Sequence, residues 1–261
     1  MRLCWQLFVA YKAPLYQGTA ELFAVFNLTI FLSQEVVTVT TKSTNNIKTL
    51  AIMAMLTALA VAADIFLRIP GIGGFLTYEP KDVILTIGAF IYNPIAGLVM
   101  SLVVCLVEMV TVSSTGFIGL LMNFLASAVF VGVASVIYHR KKTIARAIIG
   151  LVAGAAAMTA VMLLWNYIMT PIYMGVPREA VVSMIPTLLL PFNAIKAALN
   201  ASLVLLLYKP VVTALLKSKL IPTRESNDSP NKKTNTVIIV IVSAVAVATL
   251  LLVLLIFAKI I

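Results

Sequence analysis

Apolar residues in this chain run in blocks of about twenty, the length a helix rising 1.5 Å per residue needs to cross a bilayer. Residues 47–67 form one such block, with Lys48 at one edge and Asp64 near the other. Residues 116–138 and 147–170 carry no formal charge, and 185–208 carry only Lys196. Residues 236–258 form the cleanest block of all. The stretch 83–110 is longer and is interrupted by Asn93-Pro94. Proline removes a backbone donor and disfavours helix in the residue before it, so this stretch predicts two helices, 81–92 and 94–110, joined by a tight turn. The first is too short to cross straight through, and short helices in membranes border polar cavities.

Composition agrees with the blocks. Of 261 residues, 62% are apolar and 11% charged, against about 45–50% and about 25% in soluble domains. The formal charge of +10 would point to nucleic acid in a soluble protein. Here it reads as basic residues gathered on the cytoplasmic side, and no nucleic-acid partner is expected. With the start of the first span inside, twelve basic residues fall on the inner side, including Arg140, Lys141, Lys142, Lys209 and Lys217. Only Arg68, Lys81, Arg178 and Lys259 fall outside. This bias requires six crossings between residues 47 and 208 and turns Asn93-Pro94 toward the cytoplasm.

The expected organisation is an all-α integral membrane protein. Residues 1–46 are an N-terminal extension of uncertain structure, residues 47–220 a six-helix body, residues 221–235 a polar linker, and residues 236–261 an appended C-terminal transmembrane helix. Cys4 and Cys105 form neither a disulfide framework nor a metal site, and no metal is expected. His139, within His139-Arg140-Lys141-Lys142, reads as a loop residue.

The chain contains no G-x-x-x-x-G-K-[ST] phosphate loop, no H-E-x-x-H and no G-x-S-x-G, so the commonest ATPase, zinc-hydrolase and serine-hydrolase signatures are missing. Neither an enzyme nor a catalytic residue is expected. Ion-driven carriers commonly show internal repeats and several intramembrane ionisable groups, and no repeat stands out here. The body reads as a small binding protein set in lipid.

Lys196 is the strongest single signal, because an ammonium at mid-helix costs roughly 3 kcal/mol on insertion scales. Asn193, Lys196 and Asn200 share a helix face, and Pro186 and Pro191 open the start of that helix. Two readings stand for Lys196: ligand contact, or a structural ion pair with Glu108 or Asp64. Asn166, within Trp165-Asn166-Tyr167, carries an amide that can pair with an imide or amide edge of a ring, although aromatic residues there also suit an interface belt. Asn123 is either a third ligand contact or a helix–helix hydrogen bond. The outer loop 71–80, with three glycines, Phe75, Thr77, Tyr78 and Glu79, is either a lid over an outward pocket or an ordinary surface loop. Ala54, Ala58 and Ala62 repeat every four residues, a spacing that admits close approach of another helix.

Five segments carry a family resemblance: LTYEPKDV, IYNPIAGLVMSLV, MNFLASAVFVGVASVIY, LLWNYIMTPIYMG and PFNAIKAALN. Over about residues 47–220 the chain resembles the substrate-binding S components of energy-coupling factor (ECF) vitamin transporters, and among them the riboflavin-specific type. The resemblance implies a six-transmembrane-helix S-component bundle and riboflavin as transported ligand, with no cofactor. It implies that Asn166 and Lys196 hold the flavin ring, with Asn193, Thr77 and Tyr78 close by. It further implies docking of the Ala54, Ala58 and Ala62 stripe on a transmembrane coupling subunit accompanied by two ATPase subunits, in a prokaryotic cell membrane. Glu108-Met109 departs from the family pattern, and Glu108 receives no role from it. The rival expectations are an S component for thiamine, pantothenate or folate, a stand-alone secondary carrier, and a membrane enzyme without familiar motifs.

Overall fold

Each long apolar block between residues 47 and 217 is helical. The computed structural model describes residues 47–72, 76–111, 116–218 and 220, together with 240, 243–244, 246–251 and 253. The extension 1–46 and the linker 221–235 lie outside the described residues. The chain divides into units Met1–Leu50 and Ala51–Ile261, and the site described below belongs to the second.

Helix α1 (Ile47–Leu67) leads into a hairpin of β1 (Ile69–Ile72) and β2 (Leu76–Tyr78), paired antiparallel with Ile69 opposite Tyr78. Then come α2 (Lys81–Ile91), α3 (Pro94–Thr111), α4 (Gly116–His139) and α5 (Ile144–Met174). A short α6 (Arg178–Met184) runs through one π-helical turn, Ile185–Leu189, into α7 (Leu190–Lys217). Among the described residues, α1, α3, α4, α5 and the stretch Arg178–Lys217 are long and apolar enough to cross a membrane. Helix α2, with 11 residues, spans about 16 Å and falls short of a hydrocarbon core of about 30 Å. It is the short helix expected before Asn93-Pro94.

The local chemistry of the breaks is specific. Tyr92 N–H closes α2 on Gly88 O at 3.0 Å, and the Asn93 side chain then caps α3 by accepting Ala96 N–H at 2.7 Å. Thr143 caps α5 in the same way through Arg146 N–H, and Gly175, at φ +66°, ends it in the left-handed region that glycine tolerates. The π turn carries Pro186, and Pro191 opens α7. Each ring lacks the N–H of a regular ladder, so the helix widens there, and π turns recur at functional sites.

Two apolar clusters fill the body. The larger includes Leu56, Phe90, Phe130, Leu151 and Met158; the smaller joins Leu76, Tyr78, Val181, Leu189, Phe192 and Leu199. Val247 and Leu250 of the C-terminal segment pack on the smaller cluster, and Ser243 is buried. That segment therefore touches the body. At the α2 C-terminal end Phe90 stacks on Tyr138 at 4.3 Å, and the Tyr138 and Tyr208 hydroxyls are 2.7 Å apart. His139 corrects its reading as a loop residue: it ends α4, and its ring nitrogen donates to Ala89 O at 2.8 Å, tying α4 to the last turn of α2.

In lipid there is little hydrophobic drive between helices, so close backbone approach matters more. Helices α4 and α5 meet this way. A Cβ at Gly150 would stand 2.6 Å from Ala134 O, and one at Gly154 2.8 Å from Phe130 O. Gly150→Val forces the backbones apart and is expected to cost about 1–3 kcal/mol. Thermal unfolding in detergent checks this; an unchanged midpoint would refute the close contact.

Candidate functional site

At the hairpin end of the bundle, residues from β2, α3, α4, α5 and α7, with Arg68 and Glu79, line a cavity. Its polar lining comes from Arg68, Thr77, Glu79, Glu108, Asn123, Asn193 and Lys196, and its apolar wall from Leu76, Met122, Ala126, Met158, Met162 and Phe192. The volume is about 70 Å³, room for a few water molecules.

A buried ion network forms one side. Lys81, only 1% exposed, contacts Glu79 Oε2 at 2.9 Å and also pairs with Glu108. Arg68 reaches Glu79 Oε1 at 2.9 Å and Asp64 Oδ2 at 3.5 Å, and it pairs with Glu108 too. The Asn123 amide donates to Glu108 Oε1 at 2.6 Å. Burial alone would raise the Glu79 carboxyl, but the surrounding Lys196, Lys81 and Arg68 charges outweigh it and hold this group well below the usual carboxylate range. Asp64, Glu79 and Glu108 bring one oxygen each within 4.8 Å of one another, a spacing that would suit a metal ion. Arg68, Lys81 and Lys196 already neutralise the three.

Lys196 is buried on α7, with its ammonium 3.3 Å from Thr77 O and 3.5 Å from Glu79 Oε2. Its ion-pair partner is thus Glu79 on the hairpin, where Glu108 or Asp64 had been the expected structural partners. Both contacts are long for charge-assisted bonds. Asn193, one turn earlier, lines the same cavity and donates to Leu189 O at 2.8 Å, a carbonyl at the end of the π turn. Of the seven expected ligand residues, Lys196, Asn193, Thr77, Glu79 and Asn123 meet here.

Two do not. Tyr78 turns into the smaller apolar cluster, where its hydroxyl donates to Asn200 Oδ1 at 3.0 Å. The pleat explains this: neighbouring strand residues face opposite sides, so Thr77 and Tyr78 cannot both face the cavity. Asn166 folds onto its own helix, donating to Met162 O at 2.7 Å and accepting from Thr170 Oγ1 at 3.1 Å. It lines a second, smaller cavity with Thr170, Met169 and Tyr173, and Gly119 and Met122 line both cavities. Phe75 lies outside the described residues.

Arg68, Lys81 and Glu108 were missed as site residues. Arg68 and Lys81 had been counted as outer-side charges, and Glu108 had been set aside. One signal was available: Asp64 and Arg68 stand four apart at the end of α1, the spacing of a helical ion pair. Behind the cavity, Asp82 accepts from Ser127 Oγ and Asn200 Nδ2, extending the polar chain inward. Ala54 and Ala58 on α1 are exposed and Ala62 is half-buried.

Among the described residues, five membrane-length helices and one short one, with a polar cavity at one end, define a membrane-embedded binding protein. The family model described as ECF transporter, substrate-specific component, matches residues 48–208, and the chain belongs to this family. It is 31% identical over 175 residues to "Riboflavin transporter RibU" of Staphylococcus aureus (strain TCH60), covering 64% of this chain and 92% of that protein. It is 25% identical over 160 residues to "Riboflavin transporter FmnP" of Bacillus subtilis (strain 168), covering 58% and 84%. A solved structure titled "Structure and mechanism of the S component of a bacterial ECF transporter" matches with a TM-score of 0.56 and 30% identity, over 65% of this chain and 98% of that one.

Removing Lys81 would leave Glu79 and Glu108 buried with one fewer cation. Lys81→Met is therefore expected to destabilise by about 3–5 kcal/mol, read as a lowered midpoint in a thermal scan of detergent-solubilised protein. A midpoint within error of the parent would show that the network is dispensable.

Proposed function

We propose that this chain is the riboflavin-binding S component of an ECF-type transporter in a prokaryotic cell membrane. It would capture the vitamin from outside for uptake driven by ATP hydrolysis in partner subunits, and it would not itself be an enzyme. The observation that carries this reading is the convergence of Lys196, Asn193, Thr77 and Glu79 on one half-apolar cavity. The riboflavin-transporter relatives supply the ligand class.

The chemistry fits a flavin. Its pyrimidine edge presents an N–H between two carbonyls. A cationic donor such as Lys196 suits a carbonyl there, and an amide such as Asn193, with both donor and acceptor, suits the N–H. The methionine and phenylalanine side chains suit the apolar end of the ring. A three-ring ligand exceeds about 70 Å³, so binding requires side chains to move. Two are suited to it: Lys196, held by long contacts, and Met122, a flexible thioether between the two cavities. Displacing Met122 would bring Asn166 and Lys196 to one ligand.

The partners proposed are a transmembrane coupling subunit and two ATPase subunits, with the open alanine stripe on α1 as the docking face for the former. The extension 1–46, the linker and the C-terminal helix are additions to this six-helix body.

The test is direct. Purified protein should quench riboflavin fluorescence on binding or carry visible flavin absorbance; a colourless preparation that leaves added riboflavin unquenched would overturn the proposal. Lys196→Ala and Asn166→Ala should each weaken binding by at least about 1–2 kcal/mol, because each leaves buried ligand atoms unpaired. Unchanged affinity in both would remove these residues from the site. Ala58→Leu should leave flavin binding intact while abolishing co-purification with the coupling subunit.

A further inference from the structure

The C-terminal segment lies beyond residues 48–208, the part of the chain that the family model matches. Its described residues between 240 and 253 are helical, and their exposure is one-sided. Ser243 is buried and Ala246, Val247 and Leu250 are half-buried, whereas Ala244, Ala248, Leu251 and Val253 are exposed. The first set recurs at steps of three and four, which is one face of a helix. A helix surrounded by lipid would be exposed all round.

That face meets one particular place. Val247 and Leu250 pack on the smaller apolar cluster, whose buried members are Leu76 and Tyr78 of β2, Val181 of α6, Leu189 of the π turn, and Phe192 and Leu199 of α7. Among the described residues, none of α1 belongs to that cluster, and Ala54 and Ala58 stay exposed. We propose that the C-terminal helix is a seventh helix of the body, seated in cis on this face, where it braces the hairpin against α6, the π turn and α7 and slows its departure from the bundle.

The hairpin needs such support. An isolated two-stranded hairpin is marginally stable, and these strands are four and three residues long. Glu79, just after β2, ties the hairpin to the bundle by charge. Tyr78 ties it by packing, with its hydroxyl donating to Asn200 Oδ1 at 3.0 Å. The C-terminal helix adds to this second attachment. Helices in lipid associate through van der Waals packing, and small residues let their backbones approach. Ser243 and Ala246 supply the small inner positions, and Val247 and Leu250 supply the contact with the cluster that holds Tyr78. Because the hairpin carries Thr77 and Glu79 follows it, the brace would also slow ligand exchange, a consequence that rests on the riboflavin reading.

Two full-length variants test the brace, with hydrogen exchange of the hairpin amides in detergent as a readout that needs no ligand. Val247→Ala combined with Leu250→Ala thins the packed face, and Ser243→Leu overfills it. Each is expected to raise exchange at Ile69–Ile72 and Leu76–Tyr78 by about tenfold while leaving the α4 and α5 amides unchanged. Ala244→Leu combined with Leu251→Ala, on the exposed face, should keep the parent rate. Hairpin exchange at the parent rate in both packed-face variants, or an equal rise in the exposed-face variant, would overturn the brace. The packed-face variants should also release riboflavin about tenfold faster, with little change in association rate. Parent-like release alongside faster hairpin exchange would overturn the effect on ligand exchange and leave the brace standing. Failure of the unaltered protein to bind riboflavin would overturn the reading on which that effect rests, and hydrogen exchange would still decide the brace.

Discussion

The structure depends on one set of pairings: the carboxylates of Asp64, Glu79 and Glu108 with the cations of Arg68, Lys81 and Lys196. In a low-dielectric interior no member can lose its partner cheaply. The six charges come from α1 and the residue after it, the hairpin, α2, α3 and α7. Satisfying all of them fixes how those elements sit around the cavity. Glu79 is the joint, since it meets Arg68, Lys81 and Lys196 together. The hairpin is thus held by charge, although it is only four and three residues long.

The two ends of the bundle solve the packing problem differently. Near the hairpin, polar pairs substitute for apolar contact around a cavity. At the α2 C-terminal end, stacked Phe90 and Tyr138, the Tyr138–Tyr208 hydroxyl pair and His139 on Ala89 O close the helices together without one. Between them, α5 glycines lie against α4 carbonyls. A bundle braced by aromatic and backbone contacts at one end keeps its polar cavity at the other, where the contacts of Lys196 are long and Met122 lines both cavities.

Long features were legible in the sequence, and side-chain directions were not. Apolar blocks report helices because a bilayer crossing demands both length and composition, and Asn93-Pro94 reports a break because proline cannot continue the ladder. Lys196 was visible because a charge in such a block needs a reason. Lys81 and Arg68 looked like loop charges because each borders a block, and nothing local reveals that the chain folds back to bring Glu108 to them from α3. Tyr78 looked like a cover for a ligand, but the pleat sends it away from Thr77. Asn166 stood out as an amide within an apolar block, yet that amide is spent on Met162 and Thr170 of its own helix, an option every mid-helix asparagine has.

The overlap between the ion network and the cavity has a consequence for any ligand. Lys196 and Glu79 hold the hairpin and line the binding space, so a ligand that engages Lys196 competes with the hairpin for it. A neutral ligand with both donors and acceptors can replace the contacts it breaks: its carbonyl meets the ammonium, and its hydroxyls meet the carboxylate left behind. A purely apolar ligand would separate the pair and leave the ammonium unpaired, and an anion would satisfy the lysine while meeting the like charge of Glu79. The same pairing that stabilises the fold therefore favours an uncharged occupant that brings both donors and acceptors.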